Sequence, residues 1–129
     1  MNDSLQLMII DDEPIVGQRL KRILEKDGYH VDVYTESREA VRDLGKGNVG
    51  IIITDYKMDG YDGLDILEMA KIKCPDAKVI IITGYIDQSI ASSALRMGAF
   101  DFIIKPFTIE QIKDAIQRAE HELNNNNIH

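Results

Sequence analysis

A single cysteine, Cys74, excludes an internal disulfide and a cysteine-based metal knuckle. Long apolar runs are also missing, and nothing approaches the roughly 18 residues that suggest a membrane span. The opening Met1-Asn2-Asp3-Ser4 lacks the basic and apolar regions of a secretory signal, so a cytoplasmic location is the expectation. Positive charge is scarce too: 15 Lys and Arg stand against 22 Asp and Glu, a formal net charge of -7. Nonspecific nucleic-acid binding needs a basic footprint that displaces counterions, so no direct nucleic-acid contact by this chain is expected. Any DNA-binding role belongs to another domain or partner. The three histidines fall on an edge strand (His30), a surface helix (His121) and the tail (His129), and none reads as catalytic.

The 129 residues, 44% apolar and 29% charged, suit one globular domain with a sizeable core. Four short apolar runs end abruptly in polar groups. Leu5 to Ile10 runs into Asp11-Asp12-Glu13, Val49 to Thr54 into Asp55, Val79 to Ile82 into Thr83, and Phe100 to Ile104 into Lys105. The run before Asp55 is apolar on both faces and Leu5 to Ile10 nearly continuous, which fits buried parallel strands. A further segment, residues 29–34, alternates in polarity as an edge strand does.

Helical spacing separates the strands. Pro14 opens a helix over roughly residues 14–27, with Ile15, Val16, Leu20, Ile23 and Leu24 on one face and Gly28 as its stop. Thr35 or Ser37 is the expected cap of the second helix, which buries Ala40, Val41 and Leu44. Leu64, Leu67 and Ala70 give the third its inner face, and Ile90, Ala94 and Leu95 the fourth, which begins near Asp87 or Ser89. Thr108 and Gln111 fit a capping box for the fifth, where Ile109, Ile112, Ile116, Ala119 and Leu123 keep the period. Tyr29, Tyr34 and Phe107 read as packing residues. The expected domain covers residues 5–123, and 124–129 reads as a polar tail or the start of a linker. Five strands alternating with five helices predict an α/β fold, a doubly wound, flavodoxin-like parallel sheet in the order 2-1-3-4-5.

In that order the strand ends meet at one sheet edge, the ligand crevice of an open α/β fold. Asp11, Asp12 and Asp55 converge there, and like charges so close raise one another's pKa or require a cation. Carboxylates without His or Cys point to a hard ion, and Mg²⁺ suits a site that leaves positions for water and a phosphoryl oxygen. Lys105 and Thr83 add an ammonium and a hydroxyl suited to a tetrahedral anion. An attack by Asp55 on phosphorus then gives an acyl phosphate, which is phosphoryl transfer onto the protein itself. Each residue also has a plainer role: the acidic triplet favours a helix N-terminus, and Lys105 and Thr83 suit loops and turns. Their coincidence at corresponding ends of four strands favours the chemical reading.

Asp11-Asp12-Glu13, Asp55 with Met58, Thr83-Gly84 and Lys105-Pro106-Phe107 together resemble the receiver domain of two-component response regulators. The resemblance spans about residues 5 to 123, and Met97 to Phe107 is similar to receivers of transcriptional activators and hybrid signalling proteins. It implies Asp55 as phosphoacceptor, Asp11 and Asp12 as the acidic Mg²⁺ site, and the backbone carbonyl of Lys57 as a further metal ligand. Thr83 and Lys105 would contact the phosphoryl group. Phe102, three residues before the lysine, occupies the aromatic switch position. The implied partners are a sensor histidine kinase or phosphotransfer protein, and an output domain reached through the fourth helix, fifth strand and fifth helix. A phosphorylation-dependent homodimer is compatible with that face. Such a domain is not an enzyme on a separate substrate; it catalyses its own phosphorylation and dephosphorylation.

One position departs from the pattern. Where the family commonly has proline after the methionine, this chain has Asp59, which removes a rigid φ constraint and implies a more mobile loop. Lys57 and Tyr85 flank the site and are expected to tune water access. Other classes remain open at this point: a pseudo-receiver that only binds partners, an aspartyl-phosphate phosphatase, or a flavin protein. The second lacks its Asp-x-Asp, because Lys57 stands two residues after Asp55, and the third lacks a phosphate-cradling loop after the first strand.

Overall fold

The computed structural model describes residues 5–84 and 88–126. Its strands are β1 (Gln6–Ile10), β2 (His30–Tyr34), β3 (Val49–Asp55), β4 (Lys78–Thr83) and β5 (Asp101–Ile104). The helices are α1 (Pro14–Lys26), α2 (Ser37–Asp43), α3 (Gly63–Lys73), α4 (Gln88–Arg96) and α5 (Ile109–Asn126). The five strands form one sheet in the order β2-β1-β3-β4-β5, all parallel, as the alternation of elements predicted. Among the described residues, no helix is long and apolar enough to cross a membrane.

Strand alternation divides the core into two halves. Leu7, Ile9, Ile51, Ile53, Ile80 and Ile82 face Leu20 and Leu24 of α1 and Ile112, Ile116 and Ala119 of α5. Met8, Ile10, Ile52, Val79 and Ile81 face α2, α3 and α4 through Ala40, Val41, Ile66, Leu67 and Ala94. This is why the central strands read as continuous aliphatic runs: both faces are covered. β2 lies at an edge with His30 and Asp32 exposed, in keeping with its alternation. Its tyrosine and the one preceding it do more than pack. Tyr34 donates to Asp43 Oδ2 at 2.7 Å and Tyr29 to Glu120 Oε1 at 2.9 Å. Burial, then the carboxylate partner, pushes each phenol up to about 12.

Several local expectations are corrected. Neither Thr35 nor Ser37 caps α2: the N-cap is Glu36, without a side-chain cap bond, and Ser37 is the first residue of the helix. Leu95 is 55% exposed rather than inward, because Ala94 holds the buried seam of α4 and the next residue turns 100° away. Asp87 lies outside the described residues. The capping box of α5 is present, Thr108 Oγ1 accepting from Gln111 N–H at 3.1 Å and Gln111 Oε1 from Thr108 N–H at 2.8 Å. A reciprocal box between Asp62 and Asp65 also opens α3, unforeseen in the sequence because Asp stands where Glu or Gln is usual.

Helix α1 approaches β2 closely at Gly17, where an added Cβ would lie 2.5 Å from Val33 Cγ1. Overpacking costs about 1–3 kcal/mol and the gain in helix propensity is only about 0.8–1 kcal/mol. Gly17→Ala should therefore lower stability by about 1 kcal/mol in urea or thermal unfolding. An unchanged or higher midpoint would show that the edge strand yields at no cost.

Candidate functional site

The register brings the polar strand ends level. Ile10 pairs with Thr54, Asp55 with Ile82, and Thr83 with Ile104, so Asp11, Asp55, Thr83 and Lys105 follow one another across four adjacent strands. The ladder continues into the loops through Tyr56 N–H to Ile82 O at 2.8 Å and Lys105 N–H to Thr83 O at 2.8 Å. Carboxylate oxygens of Asp11, Asp12 and Asp55 lie within 4.8 Å of one another. Lys105 Nζ stands 3.4 Å from Asp55 Oδ2, 3.8 Å from Asp11 Oδ2 and 4.0 Å from Glu13 Oε1.

The buried Asp11 and half-buried Asp55 carboxylates are oriented by backbone donors. Asp11 Oδ1 accepts from Glu13 N–H at 2.9 Å and Asp55 Oδ1 from Tyr56 N–H at 3.0 Å, leaving each Oδ2 turned to the lysine. Burial pushes the Asp11 carboxyl above its ordinary range; the Glu13 amide and Lys105 pull it back, and Asp55 adds to the rise. Burial likewise raises Asp55, with Lys105 and the Tyr56 amide opposing and Asp12 reinforcing. A set of three carboxylates with no nitrogen or sulfur donor fits a hard divalent cation, and Mg²⁺ is such an ion. Both shifts are upward although Lys105 opposes them, because burial is the larger effect.

Thr83 is buried at the end of β4, with Gly84 exposed after it. Lys57 is exposed on the loop that follows β3, and Phe102 is half-buried on β5, packed against the α2–α3–α4 half of the core. Tyr85 lies outside the described residues. A groove of about 540 Å³ between α1 and the chain after β5, lined by Ile15, Arg19, Lys105 and Phe107 among others, adjoins the lysine side of the cluster.

The response regulator receiver domain family matches residues 7–117, a span that holds all of these groups. The chain belongs to that family. Receiver domains are the phosphoacceptor signalling domains of two-component systems. The C4-dicarboxylate transport transcriptional regulatory protein DctD of Pseudomonas aeruginosa is 34% identical over 114 residues, covering 88% of this chain and 25% of that protein. The chain thus spans about a quarter of the length of the curated relatives it matches. A receiver domain from Clostridium thermocellum superposes with a TM-score of 0.86 at 34% identity, covering 96% of this chain and 98% of that one. A Burkholderia pseudomallei response regulator, solved with a phosphorylated aspartic acid, a calcium ion and citrate, gives 0.82 at 27% identity, covering 96% and 73%.

Ser37, expected as a cap of α2, is used on the loop after β3 instead. Ser37 Oγ donates to the carbonyl of Asp59 at 2.8 Å and accepts from Tyr61 N–H at 2.9 Å, so the loop at the departing Asp59 is hydrogen-bonded to the start of α2. Sequence spacing offered no signal for a contact across 22 residues between a helix start and a loop.

The pKa directions fix how charge at Asp11 couples to stability. A carboxyl raised on folding binds its proton more tightly in the native state, so stability falls as pH rises through the raised value. Asp11→Asn keeps an acceptor for the Glu13 amide and removes the buried charge. Without divalent ions the variant should unfold at a higher temperature than the parent at pH 7, with the gap closing toward acid pH. A variant less stable than the parent at pH 7 would show that the Lys105 attraction outweighs burial.

Proposed function

We propose that this receiver domain is a phosphorylation-controlled switch that accepts a phosphoryl group on Asp55 from a phosphohistidine of a sensor kinase or phosphotransfer protein. The observation that carries the reading is the level register of Asp11, Asp55, Thr83 and Lys105, with Lys105 Nζ 3.4 Å from Asp55 Oδ2. In the transfer, an Asp55 carboxylate oxygen forms the new O–P bond while the P–N bond to the donor imidazole breaks, its electron pair and a proton remaining with the imidazole. Lys105 holds its positive charge beside the carboxylate throughout and offsets charge on the equatorial oxygens. The Thr83 hydroxyl donates to one of them. Asp11, Asp12 and Asp55, with the backbone carbonyl of Lys57, would hold Mg²⁺. The ion supplies charge neutralisation that one lysine cannot. Water attack on the same phosphorus reverses the modification.

The product brings close to two negative charges beside a buried hydroxyl and an ammonium. Drawing Thr83 toward the phosphate vacates space behind β4 on the side of Phe102, whose ring follows inward. The output surface is then α4, β5 and α5. Leu95 at 55%, Ile104 at 43% and Met97 at 38% exposure give that face apolar patches suited to an output domain or a second copy. Moving such a switch from 1:99 to 99:1 takes about 5.5 kcal/mol of preference for the active state.

Two measurements test this. Acetyl phosphate with Mg²⁺ should label the parent and leave Asp55→Asn unlabelled; label persisting in the variant would place the acceptor elsewhere. Mg²⁺ at a hundred times its Kd should stabilise the parent by about 2.7 kcal/mol, and Asp12→Ala should lose that gain while remaining folded.

A further inference from the structure

We infer that Ser37 is a positioning residue of the phosphoacceptor site, clamping the β3–α3 loop to α2 and supplying the stiffness that a proline at position 59 would otherwise give. The inference rests on the switch proposed above and names a group that sets its metal and phosphoryl chemistry from outside.

The hydroxyl uses both of its capacities on the same loop. It donates to Asp59 O at 2.8 Å and accepts from Tyr61 N–H at 2.9 Å, so it holds the backbone on both sides of Gly60. Gly60 itself has φ +85°, and a Cβ built there would lie 2.8 Å from Ser37 Oγ. The loop backbone is therefore pressed against the hydroxyl, in a conformation and at a distance that leave room only for glycine. Ser37 is 2% exposed, which keeps water from replacing either bond.

The anchor is rigid because its own helix is fixed. Ala40, Val41 and Leu44, which follow Ser37 along and just past α2, are buried in the core half that also receives Ile66 and Leu67 of α3. The loop ends are fastened separately, by Gly63 N–H to Tyr56 O at 2.8 Å and by the Asp62–Asp65 capping box. Between those fastenings lies Lys57, two residues before the clamped carbonyl, whose own carbonyl is the metal ligand of the proposed switch. A free loop would have to be ordered each time a cation and a phosphoryl group arrive; a clamped one has met that entropic cost at folding. Asp59 lacks the φ restriction of proline, so the restraint comes from across the fold instead.

Ser37→Ala removes one oxygen and both bonds. Tyr61 amide exchange, followed by NMR without Mg²⁺, should speed up by about tenfold or more. Mg²⁺ should bind about three- to tenfold more weakly, with a matching fall in the rate of labelling by acetyl phosphate. Adding Asp59→Pro to Ser37→Ala should bring the Mg²⁺ Kd back to within about twofold of the parent while the Tyr61 amide stays fast, since its acceptor is still missing. A role confined to global stability would shift the unfolding midpoint and leave Kd and labelling rate unchanged at temperatures where both proteins are folded. That result sinks the clamp, as does a Tyr61 amide in the parent that exchanges at the rate of an unfolded chain. A parent that neither binds Mg²⁺ nor takes label overturns the switch and the clamp together. A parent that does both, beside a Ser37→Ala variant that does both equally well, overturns the clamp alone.

Discussion

The site end of the sheet depends on a repulsion that the parallel register enforces. Asp11, Asp12 and Asp55 are brought within 4.8 Å of one another because β1 and β3 are adjacent and end level. Glu13 lies on the same lysine, so Lys105 is shared among Asp11, Glu13 and Asp55. Pairing in a partly buried place compensates desolvation only when geometry and counter-charge are both adequate, and here one lysine is shared among three carboxylates. Burial raises Asp11 and Asp55 in spite of Lys105 and the backbone donors. Like charges held this close are relieved by a cation or by protonation.

The rest of the molecule makes that arrangement tolerable. Ile51, Ile52 and Ile53 on β3 and Ile80 and Ile81 on β4 are essentially fully buried, and each large aliphatic side chain removed from water contributes about 1.5–3 kcal/mol. These residues lie directly beneath the polar ends, on the same strands. The sequence of each central strand thus has two parts with opposite tasks: an aliphatic segment that fixes the strand among its neighbours, and a terminal polar residue carried to a place it would not occupy alone. The backbone donors on Asp11 and Asp55 then set which oxygen faces the lysine.

Features with a local or periodic signature were legible in the amino-acid sequence. β3 could be read from a doubly apolar run ending at Asp55, β2 as an edge from its alternation, and the α5 cap from Thr108 and Gln111. The strand-end groups followed once the order was inferred, because level ends are a property of the topology. Features that depend on the phase of a short helix or on contacts between distant segments were not legible. Leu95 has the hydrophobicity of a core residue, but Ala94 occupies the seam. Ser37 has the chemistry of a cap, and its hydroxyl is used on a loop 22 residues away. In both cases the residue type was informative and its direction was not, since direction is set by tertiary packing.

Ser37 also gives the proposed switch a direction. On the β2–α2 side, the loop after Asp55 is bound to a helix whose apolar residues are buried in the core. On the other side, β4 ends at Thr83 and β5 is a four-residue edge strand with Ile104 exposed and Phe102 half-buried. A new charge at Asp55 meets resistance where the backbone is clamped and less where the neighbouring edge strand is short. Displacement in a packed domain goes to the elements held by the fewest buried contacts. In the proposed switch, two properties together favour transmission toward α4 and β5: Thr83 lies on that side, and the loop on the opposite side is held by Ser37.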